Sequence, residues 1–474
     1  MNNIVRSLIA VVSAVASAIA LSMPWTLPTV ISLSAQTTAL IMGGTLHPLT
    51  APKDSADFVS DYLENAVTGL LDPAFGPVDN AVAVYTPEDF FPLGRLTFGK
   101  SITEGLANLD RCVSAQSGCV FNEDPAVGAT APQADDSLMV LGYSQSAVIA
   151  SLLKRDLIER AEPGAAPVSF LLVANSMRPN GGVLMRFDDW QTIPILNIPF
   201  PGASPTDSVN NLYRTVDIAR QYDGLGGDFP VRPLNLIATL NALLGYGMLH
   251  GETINVPLSQ ARFQGREGDT SYYLIETDIV PLLQPFQLFV PKPILKAIDA
   301  PLRVIIEDAY DRDIGPGVPT LASWRPIKDL AGMAARLIAS VPVAVDNLTE
   351  GFGFGRVLGT SAPGAFGVGG PDVSTEDVST EPDEDIATEA VVSESIPESS
   401  NRAEITDDLS DDEPDVTGRR QKWDDVEPDS VDETPATEPE PEPAEAGDDD
   451  EQAPVADEPA AEDGPSDDDA ADAA

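Results

Sequence analysis

Apolar runs of strand length, separated by stretches with helical periodicity, constrain this chain more than any other feature. The runs are "ALIMGG" (39–44), "NAVAVYTP" (80–87), "SLMVLGYS" (137–144), "VSFLLVAN" (168–175) and "RTVDIARQYD" (214–223). Helical patterns lie between them: "DSADFVSDYLENAVTGLL" (54–71), with Phe58, Tyr62 or Leu63, Ala66 and Leu70 on one side, "GKSITEGLANLDRCV" (99–113), and residues 146–160. Near-continuous apolar strands alternating with helices need cover on both faces of the sheet. The expected class is therefore α/β, a mainly parallel sheet inside a three-layer sandwich with right-handed crossovers.

Composition limits where that fold extends. From residue 371 onward there are 39 acidic and 4 basic residues, which hold −35 of the formal −48. This tail has one aromatic residue, Trp423, and no apolar periodicity, so it cannot bury enough surface to offset its ordering entropy. Residues 371–474 are read as a disordered acidic tail and 346–370 as a Gly-rich linker. At the other end, Arg6 precedes the apolar run "LIAVVSAVASAIALSM", with small residues at Ala18 and Ala20. Residues 1–36 thus read as a secretory signal, or as a membrane anchor if uncleaved. That leaves 37–345 for one domain of ordinary size for an α/β fold. Export to an oxidising compartment agrees with a disulfide between Cys112 and Cys119, the only two cysteines. Two thiols with no nearby histidine cannot complete a zinc sphere, so no metal site is expected. An acidic body and tail argue against a nucleic-acid partner.

The chemistry centres on Gly142-Tyr143-Ser144-Gln145-Ser146. An apolar strand stops on a serine between small residues, and a helix pattern starts at once. Small residues two before and two after the serine allow the sharp turn of a nucleophile elbow, although Ser146 stands where glycine is commoner. Ligands of open α/β sheets bind at the carboxyl ends of the strands, where Ser144 falls. A serine hydroxyl needs a base to take its proton, and the chain has two histidines, His47 and His250. Chain order Ser, acid, His selects His250, after the last parallel strand and a helix. The acid should follow the fifth strand: Asp223 does so directly, and Asp228 is its rival. The oxyanion requires two backbone N–H groups, expected from Gln145 and from Thr45 in "GGT". No cofactor is required. The long segment 176–208 is too apolar for disorder. It is either a hairpin packed on the core or a lid whose Trp190, Ile193 and Phe200 line an acyl site.

Taken together, "GGTLHP", "GYSQS", "YDGLGGDFP", "LNLIATLNALLGYGMLHGE", "YYLIETDIVPLLQPF" and "AIDAPLRVIIEDAYDRD" resemble the PE-PPE domain of mycobacterial envelope proteins, over roughly residues 37 to 315. The resemblance implies a serine α/β hydrolase related to cutinases, acting on short to medium acyl esters or lipids. The family's serine falls on Ser144, its histidine on His250 and its acid on Asp223. It also implies a secreted or envelope-associated protein in contact with the cell envelope. Two departures stand out: the helical PE or PPE domain that precedes many relatives does not appear here, and the acidic tail is not part of the domain. Acyl transfer through the same three residues, and a non-catalytic envelope protein that keeps the fold, are the competing readings.

Overall fold

The computed structural model describes residues 36–160 and 166–371. The expected signal segment and acidic tail lie outside these residues. The described part is a seven-stranded sheet with helices on both sides, the α/β-hydrolase type of three-layer sandwich. The strands are β1 (Thr37–Ile41), β2 (Asn80–Ala83), β3 (Ser137–Tyr143), β4 (Val168–Val173), β5 (Thr215–Arg220), β6 (Ala261–Glu267) and β7 (Thr270–Ile275), in the order β2-β1-β3-β4-β5-β7-β6. All pairs are parallel except β6 with β7. The central strands β3 and β4 pair from Leu138 with Val168 to Tyr143 with Val173, so β3 delivers Ser144 at the middle of the carboxyl edge.

Five of these strands match the apolar runs. The β6–β7 hairpin was not expected, and it corrects one premise: β5 is not the last parallel strand, because β7 pairs parallel to it after His250. β6 reads poorly because Arg262, Gln264, Arg266 and Glu267 leave it half in solvent, and its register shifts between Phe263 and Gly265.

The longer helices are α1 (Ala56–Ala66), α2 (Phe98–Val113), α3 (Gln145–Glu159), α4 (Leu236–Leu249), α5 (Lys292–Glu307) and α6 (Leu330–Gly351). Ser55 caps α1 by accepting the Phe58 N–H, and α1 buries Val59, Tyr62, Leu63 and Ala66. Phe58 is turned outward, one position off the expected stripe. These residues join Ile41, Leu141, Leu171, Val173 and Ile218 in the core on one side of the sheet. The first ten residues of α3 are buried, including Lys154, whose ammonium reaches Asp269 (2.6 Å) and Thr215 (2.8 Å) below β5 and β7. Burial lowers the Lys154 pKa, and Asp269 opposes that shift.

Cys112 and Cys119 are bonded to each other. Just beyond the closed loop, Val120 and Asn122 pair with the outer side of β2 and its extension: Tyr85 N–H donates to Val120 and Asn122 N–H to Ala83. The linker expected at 346–370 is not separate from the body. α6 runs across the 345/346 boundary, Asp346 accepts the N–H groups of Leu358 and Thr360, and Phe366 is buried beside Ala219 and Leu274. A buried aromatic and a buried carboxylate hold this Gly-rich stretch down.

Candidate active site

At the β3–α3 turn Ser144 takes φ 59° and ψ −112°, a strained conformation for a residue with a side chain. The neighbours over-determine it. Ser144 N–H donates to Val173 (2.9 Å), and the Ser146 hydroxyl accepts from Tyr143 N–H (2.8 Å) while donating to the Gly43 carbonyl (2.6 Å). Ser146, the departure from the commoner glycine, thus ties the elbow to the loop after β1. A side chain at Gly142 would strike the Ser146 carbonyl at 2.5 Å, so the turn closes only with glycine there.

His250 directly follows α4, and its imidazole is engaged at both nitrogens. Nε2 lies 2.8 Å from Ser144 Oγ and Nδ1 lies 2.6 Å from Asp223 Oδ2. Tyr143 stacks on the ring and its hydroxyl donates to the His250 carbonyl; the Tyr246 ring is 4.6 Å away on the same helix. Asp223 is fully buried, and its other oxygen accepts Gly226 N–H (3.0 Å). A buried carboxylate at Nδ1 fixes the tautomer that leaves Nε2 free to accept a proton.

The rival acid is otherwise occupied. Asp228 accepts Tyr222 N–H (2.7 Å) and is clamped by both terminal nitrogens of Arg312 (2.6 and 3.1 Å). It therefore braces the turn that carries Asp223. His47 is also away from Ser144: its Nδ1 pairs with Asp54 Oδ1 at 2.8 Å and its ring stacks on Phe58. The Asp54 hydrogen bond raises its pKa from the ordinary 6.5 against the opposing effect of burial.

The loop after β1 passes directly beside Ser144. A Cβ on Gly44 would come within 2.8 Å of the Tyr143 ring and 3.6 Å of Ser144 Cβ, so only glycine lets the backbone in this close. Thr45 Oγ1 donates to the Gln145 side-chain oxygen (3.0 Å). The Gln145 amide nitrogen donates to Ser101 Oγ (2.6 Å) and to the Asp89 carbonyl (3.2 Å). Gln145 opens α3, so its backbone N–H is one of those left without an intrahelical partner. Ser101 and Asp89 were not singled out from the sequence, and Ser146 was marked there only as a departure from glycine. The first two come from elements far away in the chain, and nothing in the local pattern marks them.

Glu88 belongs to the same support. Its carbonyl accepts Leu46 N–H from the loop beside Ser144, while its carboxyl is fully buried. Burial pushes that carboxyl up to about 8, so it is neutral at neutral pH.

Within 176–208, Trp190 and Phe200 join Phe187, Phe229 and the distant Trp324 in an aromatic cluster, and Ile193 bridges to Ile198. The segment approaches the site at its tip, where the Leu196 and Asn197 carbonyls accept the Phe98 and Gly99 N–H groups one turn before Ser101.

A mainly parallel sheet with a serine on its central strand-to-helix turn, and a histidine and a buried carboxylate brought to that serine, defines an α/β hydrolase-type protein. Residues 77–311 match the PE-PPE domain model, so the chain carries a PE-PPE domain. β1 and the Gly43–Thr45 loop precede the matched residues. Among similar proteins of Mycobacterium tuberculosis, "PE family protein PE3" is 35% identical over 320 residues, covering 64% of this chain and 61% of that protein. "Esterase PE16" is 35% identical over 315 residues, covering 61% and 52%. "Diacyltrehalose acyltransferase Chp2" is 27% identical over 274 residues, covering 54% and 68%. The chain thus spans little more than half the length of the first two.

Proposed function

We propose that this protein is an exported serine esterase that cleaves acyl esters through an acyl-enzyme. The observation that carries this reading is the His250 imidazole, hydrogen-bonded to Ser144 Oγ on one side and to Asp223 on the other. As Ser144 Oγ attacks the ester carbonyl carbon, its proton passes to His250 Nε2, and Asp223 stabilises the imidazolium. The oxyanion that forms is received by the backbone N–H groups of Gln145 and Thr45. His250 then protonates the departing alcohol. A water, deprotonated by the same nitrogen, attacks the acyl-enzyme; as the bond to Ser144 Oγ breaks, His250 returns the proton to that oxygen and the acid is released. The relative named as an esterase supports this reading.

A second reading has its own support in the relative named as an acyltransferase, of which the chain covers 68%. There an acceptor alcohol takes the place of water, and the acyl-enzyme is the same. Both readings require that a fluorophosphonate label Ser144 and that a short acyl ester add its acyl mass to the intact protein. Chasing that species with water alone, then with a sugar acceptor such as trehalose, separates them by whether free acid or a new ester appears. No label at Ser144 would leave a non-catalytic envelope protein as the better account.

If Trp190, Ile193 and Phe200 shape the acyl site, each added buried methylene contributes up to about 0.8 kcal/mol. Butyrate to octanoate esters should then outrun acetate, and Trp190→Ser with Phe200→Ser should flatten the series. Export rests on the N-terminal apolar segment and is checked by fractionating cells into cytosol, envelope and medium.

A further inference from the structure

α4 buries one side and leaves the other bare. Ala238, Asn241, Ala242, Gly245 and Leu249 face inward. Leu236, Leu240 and Leu243, at spacings that put them on one face, are 73%, 52% and 46% exposed, with Ile237 and Met248 beside them. A surface helix ordinarily turns polar residues outward. Here the outward residues are aliphatic, and no charged residue occurs between Leu234 and Gly251. The 3-10 helix Pro281–Leu288 packs against α4: Leu282 N–H donates to Asn241 Oδ1 (3.1 Å), and Pro281 lies against Gly245. It ends in exposed Phe286, Leu288 and Phe289, and no charged residue occurs between Ile279 and Pro291. Single exposed leucines are ordinary, but two adjacent charge-free elements with large exposed side chains mark an interaction surface.

We propose that this face docks on an uncharged lipid surface and so holds the edge of the Ser144–His250 site against it. Charge selects the occupant. Residues 1–370 alone carry a formal −13, 36 acids against 23 bases, so a second copy or an anionic membrane brings repulsion to a contact that has no ion pairs to offset it. The exposed leucines and phenylalanines also offer a polar protein partner no hydrogen bonds, whereas protein interfaces ordinarily carry a polar rim. Neutral hydrocarbon asks for neither. No helix among the described residues is long and apolar enough to cross a membrane, so the contact lies in the plane of the surface, as for an interfacial helix. Position makes the face useful: α4 ends on His250, and Leu243 is two turns before it.

Docking is independent of the esterase reading, so the test separates them. The full chain carrying Ser144→Ala, which cannot turn over lipid, receives an environment-sensitive fluorophore at Leu243→Cys; the two native cysteines are bonded to each other. A control carries it at Glu104→Cys, exposed on α2. With neutral phosphatidylcholine vesicles, the Leu243 label should shift to the blue and be quenched by nitroxide lipids, and the Glu104 label should not. In the otherwise native chain, Leu236→Gln, Leu240→Gln and Phe289→Ser together should lower turnover of emulsified tributyrin about tenfold or more. Hydrolysis of dissolved p-nitrophenyl butyrate should stay within about twofold. A silent Leu243 label, a response confined to anionic vesicles, or a response to protein concentration without vesicles would overturn the proposal, the last by identifying a second copy as the occupant.

Discussion

His250 and His47 each hold a carboxylate at Nδ1, at 2.6 and 2.8 Å, yet the two pairs differ in everything around them. The His250 side chain is 12% exposed, lies between Tyr143 and Tyr246, and meets Ser144 at its second nitrogen. The His47 side chain is 53% exposed and stacks on Phe58, and its partner Asp54 also accepts Leu49 N–H (2.8 Å). The first pair is the one the proposed mechanism uses to move a proton; the second braces the turn between β1 and α1. A histidine–carboxylate pair therefore has no chemistry of its own. A nucleophile at the far nitrogen and exclusion of water confer it.

The largest effects should come from breaking the His250 arrangement. Ser144→Ala should reduce p-nitrophenyl butyrate turnover about 10⁶-fold with an unchanged melting temperature, and His250→Ala comparably. His47→Ala should leave turnover within a few-fold. If His47→Ala is the dead variant, the pairs have been assigned the wrong way round.

The carboxylates sharpen the contrast. Asp223→Asn should cost about 10⁴-fold in kcat, because the amide permits the wrong imidazole tautomer. Asp54→Asn should act on stability, and only at low pH. A histidine whose folded pKa is raised stabilises fully below its ordinary 6.5, and the contribution fades as pH climbs through the raised value. Asp228→Asn leaves the buried Arg312 paired only with Glu307, so a loss below the about 3–5 kcal/mol of a fully orphaned charge is expected, read as a lower melting temperature with kcat retained in the folded fraction. Equal kinetic losses at Asp223 and Asp228 would contradict the division of labour between them.

Chain order and local pattern made the central residues legible. A buried strand running into a small-residue turn located Ser144, and the order Ser, acid, His selected His250 over His47. Position directly after the strand favoured Asp223 but left Asp228 open as its rival, because what separates them physically is Arg312, which arrives from beyond the end of α5. Ser101 and Asp89 were invisible for the same reason: their bonds to Gln145 join segments far apart in the chain. The β6–β7 hairpin was missed because β6, half in solvent and rich in charge, has no apolar run to read.

Smaller effects test the support beneath the serine. Glu88 has a folded pKa near 8 against an ordinary 4.5, so its contribution is full below about pH 4.5 and is lost as pH rises through about 8. Glu88→Gln should remove this dependence and raise the melting temperature at pH 9 by a few degrees relative to the native chain, with little change at pH 5. An unchanged pH profile would mean that Glu88 reaches water. Thr45→Val keeps the backbone N–H but removes the hydrogen bond to Gln145. Such a bond is worth about 1 kcal/mol, so the expected loss in kcat/KM is several-fold.

The Cys112–Cys119 bond lies far from all this chemistry, and its consequence concerns the company the chain keeps in solution. It closes the loop that leads into Val120 and Asn122, and these residues occupy the hydrogen-bonding side of β2 that would otherwise face water. The opposite edge of the sheet needs no such cover, since the charges and register shift of β6 make it a poor template. Reduction of this single bond would therefore loosen the guard on the one edge that lacks its own defence. The sheet would then be open to strands from other chains, so the disulfide bears on colloidal stability as well as on the strength of the fold.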